Sequence, residues 1–286
     1  MIMWMEQTIE TTRGTFQYFT AGEGAPVAVT HHYSEFDERG NLFAAHFTEH
    51  FKVYLINLRG VGKSVLASKD DEYSFEQTVL DLEAIREALG YETWGFGGHS
   101  TGGMLALQYA IQAQQSLSFI VAGGASASYE YSMSEKSIYN HKNPDFARVR
   151  EIMNSLSMPE TPVEERRKLG YEWTLKSFVS EDKLQEMLKK PNSGKTAGNR
   201  LTYFREVEYQ QMDFRPHLHK VQIPSYIYAG RFDSQCPVEF GIEIAEHIPN
   251  AKLTIFEQSN HFPFVEEEEL FAEMITTAYK EQLQNV

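Results

Sequence analysis

Sulfur chemistry has almost nothing to work with in this chain: Cys236 is the single cysteine among 286 residues. No intrachain disulfide can form, so packing rather than covalent staples must hold the fold. Positive charge is scarce as well, with 26 Lys and Arg against 40 Asp and Glu and a formal net charge of −14. That balance argues against a nucleic-acid binder, which needs a basic face to displace counterions from phosphates. No apolar run approaches the roughly 20 residues needed to cross a bilayer. The start, Met1-Ile2-Met3-Trp4-Met5-Glu6, lacks the basic stretch of a signal peptide and meets an acidic residue at once. Together these absences read as a soluble, cytoplasmic protein with neither nucleic acid nor membrane as a partner.

Core-forming material, by contrast, is plentiful. Hydrophobic residues make up 42% of the chain and aromatics 13%, enough for one large α/β domain or a core carrying an insertion. Short β-type alternation over residues 8–20, broken at Arg13-Gly14, suits a hairpin. Buried-type strands follow at 26–30 and 51–57. Ser74 with Gln77 three residues later opens a helix that closes at Gly90, and Phe75, Val79, Leu82, Ile85 and Leu89 recur at helical spacing. Strand, helix and strand then alternate at 94–97, 104–115 and 117–122, which implies parallel strands joined by crossovers. From about Ser126 to Pro216 the pattern changes to successive helices, at 145–156, 162–180, 181–190 and 199–211, interrupted at Pro191-Asn192-Ser193-Gly194. Alternation resumes with a strand at 225–229, a helix at 237–247, a strand at 252–256 and a last helix from Val265 to about Gln284.

One run carries chemistry. Gly98-His99-Ser100-Thr101-Gly102 follows an apolar strand and precedes a helix, the context of a nucleophile elbow. The glycines leave room for a strained turn that lifts the Ser100 hydroxyl above the sheet edge. The Thr101 amide then lies at a helix N-terminus, where it can stabilise an oxyanion. A serine hydroxyl needs a base and an orienting acid, and in this architecture they follow in the order acid, then histidine. Asp233, just beyond the strand at 225–229, and His261, after the strand at 252–256, satisfy that order. A second oxyanion donor is expected from the loop after Thr30, with the Tyr33 amide best placed, and His31 is expected to brace that loop. Cys236 reads as a small buried residue beneath the acid loop. Glu266-Glu267-Glu268-Glu269 reads as negative charge at a helix start. The cap aromatics and methionines (Tyr171, Trp173, Phe178, Met187, Tyr203, Phe204) suit either a pocket wall or ordinary packing.

On these residues the chain resembles the α/β-hydrolase superfamily over nearly its whole length, at 27–33, 57–64, 97–103, 230–237 and 259–263. Asn57-Leu58-Arg59-Gly60-Val61-Gly62-Lys63-Ser64 is similar to that family's Asp-x-Arg-Gly-x-Gly-x-Ser loop, with Asn57 where the aspartate stands. The stretch from Gly230 to Pro237 resembles the acid loop of proline iminopeptidases. The resemblance implies a mostly parallel, eight-strand-type sheet flanked by helices. A helical cap at 130–215 would cover a core formed by 1–129 and 216–286. It also implies ester or amide hydrolysis on a small molecule or short peptide, without cofactor or metal. In the iminopeptidase branch the substrate would carry an N-terminal proline whose amino group is held by cap carboxylates, and Glu206 and Glu208 are the candidates here. The chain departs from that branch by lacking a His-Gly-Gly-Pro-Gly run at 31–33 and by its elbow sequence. Carboxylesterase, C–C bond hydrolase, perhydrolase and a non-enzymatic ligand sensor of the same fold stay open, as does the oligomeric state.

Overall fold

The alternation of strands and helices resolves, in a computed structural model that describes residues 2–284, into an eight-stranded sheet. Its strands are β1 (Met5–Thr11), β2 (Gly14–Ala21), β3 (Ala25–Val29), β5 (Phe51–Ile56), β6 (Trp94–His99), β7 (Leu117–Gly123), β9 (Ser225–Gly230) and β10 (Ala251–Phe256). The two remaining strands, β4 (Ser34–Glu35) and β8 (Lys195–Thr196), form a separate antiparallel pair. The large sheet runs in the order β1-β2-β5-β3-β6-β7-β9-β10. Only the β1–β2 hairpin and its junction with β5 are antiparallel, and the rest is parallel. Parallel strands must be covered on both faces. On one face α2 (Phe75–Ala88) and α3 (Thr101–Ala113) bury Val79, Leu82, Ile85, Leu105 and Tyr109. On the other, α1 (Leu42–Ala45) and α11 (Glu268–Gln284) bury Phe43, Phe271 and Ile275.

Ser74 caps α2 as expected, its hydroxyl accepting from the Gln77 amide at 3.2 Å. Between β7 and β9 lie the inserted helices α4 (Phe146–Ser157), α5 (Val163–Leu175), α6 (Glu181–Leu188), α7 (Gly198–Tyr203) and α8 (Arg215–Leu218), followed after β9 by α9 (Val238–His247).

Four sequence expectations are corrected. The helix after the elbow starts at Thr101 rather than Met104, because Ser100 itself makes the turn. The helix expected at 162–180 ends at Leu175. The helix expected at 199–211 passes from α7 into a π turn over Phe204–Glu208 and a 3-10 turn over Tyr209–Gln211. A π turn lets one residue bulge from the helical ladder, and here Phe204 is buried against Phe75 and His32 while Glu208 turns inward. The last helix is divided at Glu267 into α10 (Pro263–Glu266) and α11. The break at 191–194 leads into β8, a two-residue strand too short to leave a periodic signal.

Candidate active site

Ser100 sits at the end of β6 with φ 57° and ψ −123°, the one non-glycine residue with positive φ among the described residues. Such a conformation costs of order 1–3 kcal/mol and persists only where its surroundings dictate it. The surrounding glycines do so by proximity. A Cβ on Gly98 would meet the Gly102 carbonyl oxygen at 2.0 Å, and one on Gly102 would meet the Thr30 carbonyl oxygen at 2.5 Å. The Ser100 amide donates to Gly123 O at 2.9 Å, and its carbonyl accepts from Met104 N at 3.0 Å, starting α3. The Thr101 amide is thereby the first of that helix.

Asp233 follows β9 and is almost wholly buried. Its Oδ1 accepts from the amides of Gln235 and Cys236, each at 2.9 Å, so the acid loop folds around its own carboxylate. Both carboxylate oxygens face His261 Nδ1, at 3.0 and 2.9 Å. His261 follows β10 in a loop whose amides are held by Glu266: Oε2 accepts from Asn260 N at 2.8 Å and Phe262 N at 3.3 Å, and Oε1 from Val179 N at 2.7 Å. Burial pushes the Glu266 carboxyl upward while those three amides pull it back. Asn260 adds a further tie, its Oδ1 accepting from Ser234 N at 2.9 Å. The acidic run is shared between two helix starts, Glu266 in the single turn of α10 and Glu268 and Glu269 in the first turn of α11. Cys236 is buried, and burial beside Asp233 pushes its thiol well above the usual range.

The loop after β3 carries two histidines with different surroundings. His31 bridges Ser34 Oγ (2.9 Å from Nδ1) and Thr101 Oγ1 (3.0 Å from Nε2), and its Nδ1 accepts from the Tyr33 amide at 3.4 Å. Burial and the neighbouring His32 bring His31 down to about 3, so its ring is neutral at ordinary pH. His32 is fully buried beneath Phe75, and its Nε2 lies 3.2 Å from Glu208 Oε2. His99, one residue before Ser100, packs against His261 with ring centroids 4.6 Å apart and has Tyr228 Oη 2.9 Å from its Nδ1. Burial and the adjacent His261 hold it well below the usual histidine range.

Ser100, His261, His31 and Tyr33 line one cavity of about 560 Å³. Phe36, Phe43, Phe262, Phe264, Trp173 and Met187 supply apolar wall, and Asn41, Asn192 and Gln235 supply polar atoms. No Asp or Glu lines it among the described residues. A hollow of about 690 Å³ elsewhere, against β1, β2 and Tyr91, contains none of the candidate residues. No hydrogen bond joins the Ser100 hydroxyl to His261 among the described residues, a gap common before substrate is bound.

Glu206 and Glu208 are not in this cavity. Glu206 is exposed. Glu208 turns the other way, its Oε1 accepting from the Phe75 amide at 2.6 Å at the start of α2, and burial pushes it up to about 7. Of the cap residues singled out in sequence, Trp173 and Met187 reach the cavity. Phe178 instead stacks on Phe262 with centroids 4.9 Å apart, and Tyr203 faces a separate hollow. The contributions of His99, Glu266 and Asn260 were missed. A buried carboxylate in an acidic run looks the same in sequence as a solvated one.

A mostly parallel sheet with helices on both faces and a strained serine between β6 and α3 define a hydrolase-type α/β architecture. The chain belongs to the alpha/beta hydrolase fold family, whose family model matches residues 30–268. It is 56% identical to an alpha/beta fold family hydrolase from Bacillus anthracis str. Sterne, covering 96% of this chain and 99% of that one with a TM-score of 0.95. A proline iminopeptidase of Saccharolobus solfataricus is 24% identical over 239 residues, 76% of this chain and 72% of its own. A 2-hydroxymuconate semialdehyde hydrolase of Pseudomonas putida is 24% identical over 258 residues, 89% of this chain and 86% of its own. The family is thus fixed, and its members differ in the bond they cleave.

Proposed function

We propose that the protein is a serine hydrolase that cleaves small carboxylic esters through Ser100, His261 and Asp233. The reading places a cap at 130–215 over a core of 1–129 and 216–286, and sets the enzyme in the cytoplasm. It is carried by one observation: the strained Ser100 elbow opens onto the cavity that His261, oriented by buried Asp233, also lines. With Nδ1–H given to Asp233, His261 keeps Nε2 as base toward the Ser100 hydroxyl. Ser100 Oγ attacks the acyl carbon as its proton passes to His261, and the oxyanion is held by the Thr101 amide and by the Tyr33 amide, which gives up its long 3.4 Å bond to His31 Nδ1 to do so. His261 then gives that proton to the leaving alcohol. Water, deprotonated by the same imidazole, releases the acid and restores Ser100.

Esters are favoured over N-terminal prolyl peptides by the cavity wall. An aminopeptidase must hold a substrate ammonium, yet no carboxylate lines the cavity among the described residues, and Glu208 is engaged at α2. The apolar wall suits an acyl chain. The relatives' names keep a second reading in play, that of an iminopeptidase. Turnover of p-nitrophenyl acetate, butyrate and hexanoate, set beside proline p-nitroanilide, decides between them. Ester turnover that disappears in Ser100→Ala is expected; higher kcat/KM on the prolyl amide would overturn the ester reading.

A further inference from the structure

The peptide between His32 and Tyr33, whose N–H is the proposed second oxyanion donor, is gripped from behind by the inserted segment. Arg200, on α7, is almost entirely buried. Its Nε donates to the His32 carbonyl. Its Nη1 donates to Arg59 O at 3.1 Å, and its Nη2 to Thr78 Oγ1 at 2.7 Å and Tyr73 O at 3.3 Å. Nη2 also lies 3.2 Å from His32 Nδ1, on the far side of the ring from Glu208. The next carbonyl along, Tyr33 O, accepts from Ala197 N at 2.8 Å, and β4 pairs with β8 just beyond it. Both carbonyls that flank the Tyr33 amide are therefore held by residues 195–200.

A guanidinium is an unfavourable group to bury, since its hydration is lost. Burial lowers Arg200 only to about 10, so it stays charged at neutral pH. No carboxylate touches it within ion-pair distance among the described residues; its hydrogen-bond partners are carbonyls, a hydroxyl and an imidazole, and its Cζ lies 5.5 Å from the Tyr73 ring centroid. That is the environment of a group whose charge acts on a peptide dipole. In a trans peptide the N–H points opposite to the C=O. A carbonyl aimed at Arg200 therefore sends the Tyr33 N–H to the opposite side of the loop, where His31 Nδ1 accepts from it at 3.4 Å. A cation on the carbonyl also draws electron density across the amide and makes the N–H a stronger donor. The loop lacks glycine at 31–33, so its orientation has to be imposed from outside.

We infer that Arg200 is a positioning residue for the hydrolytic reaction, fixing and polarising the His32–Tyr33 peptide so that its amide serves the oxyanion. This rests on the acyl-transfer reading of Ser100. The test uses the full chain as wild type, Arg200→Met and Arg200→Lys, with melting temperature, p-nitrophenyl butyrate kinetics and fluorophosphonate end-point titration. Inhibition by an alkyl trifluoromethyl ketone, which adds to the serine as an oxyanion, is compared with that by the matching secondary alcohol. For folded Arg200→Met, kcat should fall about 10- to 100-fold, below the loss from deleting a whole oxyanion donor. KM and alcohol affinity should stay within about twofold, ketone affinity should fall in step with kcat, and titration should still reach one site per chain. Arg200→Lys keeps the charge without the fork, and should recover part of the loss but remain slower than wild type by about threefold or more. Wild-type kcat and ketone affinity in folded Arg200→Met overturn the inference, as does a loss that appears in KM or in the titrated sites. If the methionine variant fails to fold, Arg200→Lys decides alone, and an undiminished kcat there overturns it. Failure of the wild type to titrate at Ser100 would instead remove the acyl-transfer reading itself.

Discussion

Replacing Gly98 by alanine strikes the elbow where nothing can yield. The added Cβ would lie 2.0 Å from Gly102 O, 2.2 Å from Gly102 C and 2.8 Å from Gly103 N. All three atoms are backbone in the first turn of α3, so no rotamer change relieves the clash. Reaching an ordinary contact of about 3.4 Å requires about 1.4 Å of separation between the end of β6 and that helix. Over-packing usually costs about 1–3 kcal/mol, and a rigid backbone neighbour puts this case at the upper end, about 3 kcal/mol. Ser100 lies two residues on and moves with the turn. A misplacement of about 1 Å at a reacting group costs roughly 10² in rate. Urea unfolding should therefore show a lower midpoint with unchanged slope, and ester kcat/KM should fall about 100-fold in the protein that remains folded. A Gly98→Ala enzyme with the wild-type midpoint and wild-type kcat/KM would refute the reasoning.

Three further outcomes follow from local geometry. Glu208 titrates at about 7 when folded against 4.5 in its unperturbed state. Between those values the native protein holds a proton that the unfolded chain has released, so stability falls as pH rises from 4.5 to 7. Glu208→Gln should remove that slope, a difference of at most about 3 kcal/mol, checked by urea midpoints at pH 5 and pH 8; parallel pH dependences in the two proteins would count against it. Asp233→Asn retains an Oδ1 for the Gln235 and Cys236 amides, so it should fold. It puts an N–H donor where Oδ2 faces His261 Nδ1, which favours the Nε2–H tautomer that cannot act as base, and kcat should drop about 10⁴-fold, measured on the same esters. Gly170 in α5 has nothing within 4 Å of an added Cβ and no positive φ. Gly170→Ala should raise stability by about 0.5–1 kcal/mol, read from thermal melts.

The core was legible because its signals are local. Apolar strands ending in turn residues, the Ser74 cap of α2 and the Gly98–Gly102 elbow each sit within a few residues of one another. The Asp233–His261 pair was readable because chain order in this architecture restricts where acid and base can fall, and the two come within hydrogen-bond reach. The inserted segment was less readable. Its helices are short, and their ends depend on contacts distant in sequence: Arg200 reaches back to His32, Arg59, Tyr73 and Thr78. Glu208 stands as a candidate substrate carboxylate in the sequence because sequence does not reveal which way a π turn points a side chain. Asn57 shows the same lesson in the core. Its Oδ1 accepts from Phe36 N at 2.8 Å, while its Nδ2 donates to Phe36 O at 3.0 Å and Gln17 Oε1 at 2.8 Å. An aspartate could only accept, so the departure from the family's loop has a local cause that becomes visible once residues 17, 36 and 57 meet.

The central claim is that Ser100 is the nucleophile, and covalent trapping tests it most directly. Intact-mass and peptide mass spectrometry after treatment with a fluorophosphonate should find one adduct per chain, on Ser100. Ser100→Ala should take up none. An adduct on another residue, or undiminished labelling of Ser100→Ala, would contradict it.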